Sequence, residues 1–469
     1  MATGSDDHAG LKALHRFGLG ARGGSAGDLA SAATDPRGFL TAELARPGGA
    51  LLQGPGLASG KSNLQSLYRF QEQVRVARAA KPAGEGDAPA APAEPAPDAK
   101  FIQQTFRAET LARLQRQFAA EAGFVERLVA FWSNHFCVSA ATDGFVRVTA
   151  GAFEREAIRP HVFGRFADML LAVEQHPAMQ RYLDNMQSIG PNSRAGRNSK
   201  RGLNETLARE ILELHTLGGG GGYSQADVTS LARVLTGWTV VGPPGQLGEP
   251  GSFVFNANAH EPGAQVVLGK TYADDGLAQG HAVLADIARH PSTAMFIATK
   301  LARHFVADAP PQALIDRLAK SFRDSDGDLR VLARTLIESD EAWSPPLTKM
   351  RTPAEFLMAA TRLVGRMPED PGRLNGGAAL LGQPIWQPPG PNGFADSAAV
   401  WASPEGMKLR LDIVSELSRR LADAMNPEAM TEIAFGAAVS TPTRDAIRRA
   451  ESRQQALALL LMSPEFLRR

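Results

Sequence analysis

LNETLAREILELHTLGGGGG, residues 203–222, is the stretch that decides the fold. Leu207 and Ile211 lie four residues apart and so fall on one apolar stripe of a helix. Asn204 is placed to cap the N-terminus of that helix, and the glycine run Gly218–Gly222 ends it. The stretch therefore predicts an amphipathic α-helix with a capping residue at its start and glycines at its end.

The same helix carries a carboxylate inside its apolar stripe. With Leu207 at zero, Glu210 falls at about 300°, while Glu213 and His215 flank the stripe at about 240° and 80°. A carboxylate on a buried face is costly unless it is paired or protonated. Glu210 is therefore predicted either to form a salt-bridged strut between helices or to have a raised pKa. The second option is what a general acid requires.

Helical periodicity extends over most of the remaining chain. It resumes at Phe101, whereas strand signals are confined to residues 251–272. Within that segment, residues 253–255 (FVF) and 265–268 (QVVL) are predicted to form a hairpin. The sequence thus predicts a mainly α protein, a multi-helix globular body with one small β-hairpin insertion.

Composition divides the chain into three parts. Residues 1–78 are predicted to be an N-terminal helical segment. Residues 79–100, rich in Ala, Pro, Glu and Gly, cannot bury enough apolar surface to order themselves and are predicted to be a disordered loop. Residues 101–469 are predicted to be the main helical domain, with the β insertion near 251–272.

The overall composition argues against several classes of protein. The 469 residues carry 50 Lys plus Arg and 49 Asp plus Glu, a formal charge of +1, which gives no support to a nucleic-acid partner. A single cysteine, Cys137, excludes an intrachain disulfide framework. No apolar run approaches the roughly 18 residues of a membrane span, so none is expected. The polar N-terminus has no secretory signal pattern, so a cytoplasmic location is expected from the sequence alone.

No motif predicts a metal or a cofactor. Residues 324–328 (DSDGD) resemble a calcium loop, but the twelfth position is Thr335 and lacks the bidentate Glu. The glycine run 218–222 follows a helix instead of opening one, so it is not placed to cradle a phosphate. The sequence therefore predicts no metal and no cofactor.

A second group of polar candidates lies in residues 125–137, VERLVAFWSNHFC. His135 falls on the apolar side of this predicted helix, and Asn134 lies at its edge. A lone histidine on an apolar face is typically a hydrogen-bonded core residue. Beside Asn134, it is also placed to hold a substrate hydroxyl or carbonyl, and both interpretations stay open.

Other polar candidates are spread along the chain. His260 follows a predicted strand, in a position typical of either a site-lining loop or a turn. Asp184 and Asn185 fall at a predicted helix end, where such residues commonly serve as caps. Lys300 and His304 edge the apolar stripe of a later helix, and Lys300 is a candidate partner for an inward carboxylate.

Eight motifs in a fixed order are similar to those of a known bacterial family. They are FWSNHF at 131–136, YLDN at 182–185, NETLAREILELHTLG at 204–218, LTGW at 235–238, a loop at 260–269, ATKLARHFV at 298–306, KMRTPAEFL at 349–357 and PNGFADSAAVWASPEGM at 391–407. Over nearly the whole chain they resemble domain-of-unknown-function family 1800. Glu261 stands where that family usually has Asp, which keeps the carboxylate. Phe394 stands where it usually has Trp, which weakens any role for an indole there.

The resemblance implies no settled activity. Members of that family are often encoded beside a second protein, which carries a twin-arginine export signal and belongs to an alkaline-phosphatase-like superfamily. The resemblance therefore implies a protein partner. It implies a periplasmic location only through co-export with that partner.

Two functions of different classes are consistent with these residues. The first is an acid–base hydrolase of a glycan or another extracytoplasmic polymer, with Glu210 as general acid and Glu213 or Asp184 as second carboxylate. Glycoside hydrolysis needs two carboxylates about 5–10 Å apart and no cofactor. The predicted substrate-binding residues are Asn134, His135, Asn185, Asn204, His215, Trp238 and His260. The second function is a non-catalytic helical partner or scaffold for the co-encoded protein, in which the polar motifs are struts.

Overall fold

The computed structural model describes residues 6–24, 27–79, 100–198, 202–368 and 370–469. Of the predicted disordered loop at 79–100, only the two end residues fall in these ranges, and both lie in helices. Within the described ranges the chain forms 24 α-helices and two small antiparallel sheets. The predicted mainly α fold class is confirmed.

The N-terminal half of the described chain consists mostly of short amphipathic helices. They are α1 (Asp7–Lys12), α2 (Asp28–Thr34), α3 (Pro36–Ala45), α4 (Gly60–Ala79), α5 (Lys100–Ala119), α6 (Phe124–His135), α7 (Gly144–Phe153), α8 (Phe166–Gln175), α9 (Pro177–Tyr182), α10 (Thr206–Glu210) and α11 (Gln225–Leu235). Asn204 Oδ1 accepts the backbone N–H of Thr206 at 2.8 Å, which satisfies one free donor at the start of α10. Ser224 and Asp227 form a capping box at the start of α11.

Three helices widen into π turns at their C-terminal ends. α1 continues as Ala13–Phe17, α7 as Glu154–Ile158 and α10 as Ile211–Thr216. A π turn closes i→i+5 hydrogen bonds, so later residues are displaced from a 3.6-residue wheel, and such turns are frequent at functional sites. His215 is consequently 1% exposed instead of flanking the apolar face.

The two small sheets are both two-stranded and antiparallel. β1 (Trp238–Val240) pairs with β2 (Phe253–Phe255), and β3 (Gln265–Val267) pairs with β4 (Lys270–Tyr272). Both predicted strands form, but the prediction that they pair with each other is wrong.

Local backbone geometry explains the pairing. Leu268 and Gly269 join β3 to β4 with φ angles of 50° and 75°, the two left-handed residues that a tight type I′ hairpin needs. Trp238 begins β1, because Gly237 with φ 82° separates it from α11. A Cβ on Gly237 would lie 2.6 Å from the carbonyl oxygen of Asn256, so the chains approach closely there.

Thirteen further α-helices follow the sheets in the described chain. They are α12 (Leu277–Ala288), α13 (Pro291–Phe305), α14 (Gln312–Asp324), α15 (Leu329–Glu338), α16 (Asp340–Trp343), α17 (Pro353–Val364), α18 (Gly372–Leu380), α19 (Ala398–Trp401), α20 (Pro404–Leu421), α21 (Pro427–Phe435), α22 (Thr441–Arg448), α23 (Arg453–Leu461) and α24 (Pro464–Leu467). In the part of the chain that the structure covers, no helix has both the length and the apolar character needed to cross a membrane.

Helices α6 and α13 lie within the main core and run antiparallel to each other. The rings of Phe124 and Phe305 are 5.4 Å apart at one end, and those of His135 and Phe296 are 6.2 Å apart at the other. Both helices also carry polar residues on two different sides. They therefore position two neighbouring groups of polar side chains.

Candidate functional site

The first polar group centres on Glu210, the last residue of α10 before its π turn. Its side chain is half-buried, and no described residue lies within hydrogen-bond or ion-pair distance of its carboxylate. Burial raises the pKa of Glu210, His215 partly opposes this change, and the negative charge of Glu213 reinforces it. Of the two outcomes predicted for Glu210, the structure has the raised pKa and not the strut.

His215, on the π turn, is held by a buried carboxylate. Its Nδ1 lies 2.8 Å from Oε1 of Glu174 on α8, and both side chains are at most 1% exposed. The backbone oxygen of His215 accepts Nε2–H of His135 at 3.0 Å. The π turn thus brings two predicted histidines into one hydrogen-bonded unit.

His135 connects this unit to α13. Because its Nε2 donates to a carbonyl, Nδ1 is an acceptor, and the Lys300 ammonium donates to it at 2.9 Å. Burial and then the nearby Lys300 charge hold the pKa of His135 well below its usual range. Burial also lowers the pKa of Lys300 to about 8. Lys300 therefore donates to a histidine instead of pairing with Glu210.

Tyr182 and Cys137 complete what we call the Glu210 cluster, which comprises Glu210, Tyr182, Cys137, Lys300 and His135. Burial raises the pKa of the Cys137 thiol to about 12, and the Glu210 charge contributes. Burial also raises the pKa of Tyr182, and Cys137 and Glu210 add to the change. These effects couple the ionisation of Glu210 to Tyr182 and Cys137, and the raised pKa values keep the phenol and the thiol protonated at neutral pH.

The other two predicted carboxylates differ in their surroundings. Glu213 is half-buried, accepts the Tyr223 hydroxyl at 3.3 Å, and is close enough to affect Glu210. Asp184 is exposed, with a left-handed φ of 55° at a turn. Glu213 is therefore the carboxylate that the structure brings to Glu210.

Several predicted substrate-binding residues hold the fold together instead. Asn185 is 1% exposed and donates to the carbonyls of Leu235 and Trp238, each at 3.2 Å. Trp238 is fully buried, so a ligand does not reach it in this conformation. His260 lines a separate open depression beside Asn192, away from the Glu210 cluster residues. The structure therefore brings only part of the predicted set together.

Asn134 faces the opposite side of α6 and binds a loop. Its Nδ2 donates to the carbonyl of Phe394 at 3.0 Å, and its Oδ1 accepts the Phe394 N–H at 2.8 Å. Gly393 precedes Phe394, and a Cβ there would lie 2.5 Å from the Asn134 carbonyl oxygen. Asn134 thus fixes the loop that forms one wall of a cavity.

That cavity holds a second polar group, which was not predicted from the sequence. It encloses about 1100 Å³ including its mouth, with Cys137 in its wall. On its lining, His304 Nδ1 donates to Asp396 at 2.8 Å, and burial lowers the His304 pKa to about 4. The Glu355 carboxylate lies 3.1 Å from Arg127 Nε and 2.7 Å from Arg469 Nε, so it pairs with two guanidinium groups.

Two residues of this second group belong to motifs of the family resemblance. Asp396 belongs to the 391–407 motif and Glu355 to the 349–357 motif, but their partners come from distant parts of the chain. Within the described ranges, no three His, Cys, Asp or Glu side chains are arranged to hold a metal ion.

Comparison with known proteins gives a family and nothing more specific. A family model described as protein of unknown function (DUF1800) matches residues 12–468. No curated protein and no solved structure matches the chain.

Proposed function

The chain belongs to the family of proteins of unknown function DUF1800, and from its polar residues we propose that it is an acid–base hydrolase acting on a glycan or another extracytoplasmic polymer. The observation that carries the proposal is the Glu210 carboxyl, which is half-buried, has a raised pKa and has no bonded partner among the described residues. A structural carboxylate would be paired. An acid catalyst needs a proton to donate near neutral pH.

In the proposed reaction, Glu210 donates its proton to the leaving oxygen of the scissile bond. Glu213 is the better-supported second carboxylate, because it lies beside Glu210 and raises its pKa. It acts as base towards water or as nucleophile, depending on the separation of the two groups in the bound state. Lys300, held by His135, positions polar substrate groups. This mechanism requires no cofactor.

We expect Glu210→Gln to lower kcat by about 10²–10⁴-fold, the usual contribution of a general acid. Release of reducing ends from peptidoglycan, chitin, cellulose and starch would measure it. The melting temperature should stay nearly unchanged, because the burial that raises the pKa already disfavours the Glu210 charge. Activity should also fall as pH rises through the raised pKa, since the acid must be protonated.

Glu205→Gln is the matched control, because it removes the same charge from a half-buried residue just before α10. Glu205 accepts hydrogen bonds from Thr229 and Gln225 at 2.7 and 2.8 Å, so its variant should lose some stability and keep its kcat. A Glu210→Gln protein with wild-type kcat would exclude the role of Glu210. Failure of the wild type to cleave any of the four polymers would reject the proposed substrate class.

A second candidate function is that of a helical partner for the co-encoded exported protein implied by the family resemblance. Three large aliphatic side chains on consecutive helices favour it: Leu380, Val400 and Leu411 are 68%, 49% and 47% exposed. Contiguous apolar patches are typical of protein interfaces, and these three residues lie on the consecutive helices α18, α19 and α20. Co-purification of the two proteins tests this function. It predicts that Leu380→Asp weakens the complex without lowering the melting temperature.

A further inference from the structure

The cavity beside α6 is lined mainly by apolar side chains. Its walls come from α5, α6, α17, α18 and the chain around 383–396, and its apolar lining includes Leu114, Val138, Leu357, Met358, Ile385 and Trp386. The space of about 1100 Å³ between these walls includes the open solvent at the mouth of the cavity. Its mainly apolar walls suit a ligand with an apolar body.

Arg113 on α5 is the one lining cation whose two terminal nitrogens lack a hydrogen-bond partner among the described residues. Its Nε lies 3.3 Å from Glu154, and its side chain is 12% exposed. Its guanidinium carbon lies 5.3 Å from the Trp386 ring centre, so the ring supports the group. The terminal nitrogens of Arg113 therefore remain available to a ligand.

Glu154 is the ion-pair partner of Arg113 Nε, and it also accepts hydrogen bonds from three other donors. It accepts Arg159 Nε at 3.0 Å, the Ser133 hydroxyl at 2.8 Å and the Trp386 indole N–H at 3.0 Å. The other charged groups on the lining have ionic partners. Arg127 lies 3.1 Å from Glu355, and Asp396 lies 3.2 Å from Lys349 and 3.3 Å from Arg469.

Trp386 provides an independent indication of a binding site. Its φ of 51° lies in the left-handed region, which is a genuine outlier for a bulky side chain. Its indole N–H bond to Glu154 and the bond from Ala140 N to its carbonyl at 2.7 Å hold this conformation. Backbone strain of this kind clusters at ligand sites.

We propose that this cavity binds an amphipathic small molecule that has an apolar body and one anionic head, a carboxylate or a phosphate. Arg113 binds the head through its two free terminal nitrogens, a geometry that matches both anions. The apolar body occupies the space between α17 and the 383–396 segment. Cys137 lies in the cavity wall and also belongs to the Glu210 cluster, but Glu210 itself does not line the cavity.

Isothermal titration of the full chain with laurate, below its micelle concentration, tests this site. Laurate and dodecyl phosphate should bind saturably, and dodecyltrimethylammonium should bind at least tenfold more weakly. Arg113→Gln should weaken laurate at least tenfold and leave dodecanol binding unchanged, because dodecanol lacks the charge. Arg107→Gln is the matched control: it lies on the same helix and is paired with Asp370 at 2.8 Å, and it should change neither affinity.

Leu374→Trp covers the case in which Arg113→Gln does not fold. Leu374 is half-buried on the cavity lining, and a larger side chain there should weaken laurate and dodecanol together. The proposal is overturned if no amphiphile binds, if the cationic analogue binds as tightly as laurate, or if a folded Arg113→Gln protein binds laurate normally. It is also overturned if Leu374→Trp leaves both affinities unchanged.

Discussion

Replacing Glu355 by glutamine is expected to lower the free energy of unfolding by about 3–5 kcal/mol at pH 7, the usual cost of breaking a buried ion pair. The Glu355 carboxylate lies 3.1 Å from Arg127 Nε and 2.7 Å from Arg469 Nε. Both guanidinium groups are at most 1% exposed. Without the carboxylate, two positive charges remain in the core without their shared counterion.

The size of this loss should depend on pH. Burial opposes ionisation of Glu355, but Arg127 and Arg469 outweigh it and lower its pKa to about 2. A carboxyl whose pKa is lower in the folded than in the unfolded protein stabilises the fold above the unfolded value of about 4.5, and this stabilisation is lost as pH falls towards 2. A difference of this size corresponds to about 3 kcal/mol.

Urea unfolding at pH 7 and at pH 3 measures both effects. The difference between wild type and Glu355→Gln should be large at pH 7 and smaller at pH 3. Glu416→Gln is the control, because Glu416 lies on the surface with Arg419 and Arg420, and exposed ion pairs contribute at most about 1 kcal/mol. Equal stability of wild type and Glu355→Gln at pH 7 would contradict the assignment.

Arg159→Met should destabilise the protein by a similar 3–5 kcal/mol. Arg159 is fully buried and donates to both oxygens of Glu126 at 2.9 Å and to Glu154 at 3.0 Å. Methionine fills much of the space but leaves two buried carboxylates with fewer partners. The deficit should shrink as pH falls, because Arg159 helps to lower the pKa of Glu154 and this contribution is lost once Glu154 is protonated.

Thermal and urea unfolding of Arg159→Met and Arg165→Met would isolate the effect of burial. Arg165 forms a 2.8 Å ion pair with Asp326, but both side chains are more than 40% exposed, so its loss should cost at most about 1 kcal/mol. If the two variants were equally stable, the buried network would not be a main support of the core.

Helix positions and ends were predictable because they depend on local sequence. The Ser224–Asp227 capping box and the helix that follows Asn204 both form. The pairing of the strands was not predictable from apolar pattern alone, since it depends on the backbone angles at Leu268 and Gly269. The π turn was not predicted either, because the prediction assumed 3.6 residues per turn throughout the helix. The burial of His215 was missed for this reason.

The candidate site was predictable only in part, for a similar reason. The helical pattern predicts that Glu210 lies on the apolar face of its helix. It does not predict that Glu210 lacks a partner, because this depends on Lys300 bonding to His135 instead. The His304–Asp396 contact joins residues 92 positions apart, and the sequence pattern gives no distance between them. This contact depends on how the segment that contains Asp396 packs against α13.

The two hydrogen bonds between Asn134 and the Phe394 backbone should determine how easily this loop opens in the folded protein. Irregular segments usually exchange their amide hydrogens quickly, because they open locally at little cost. The Phe394 amide is bonded to a side chain of α6, so its protection should follow that of the core. Deuterium uptake at Phe394 should therefore be as slow as in the centre of α6, and this wall should open only when the whole molecule does.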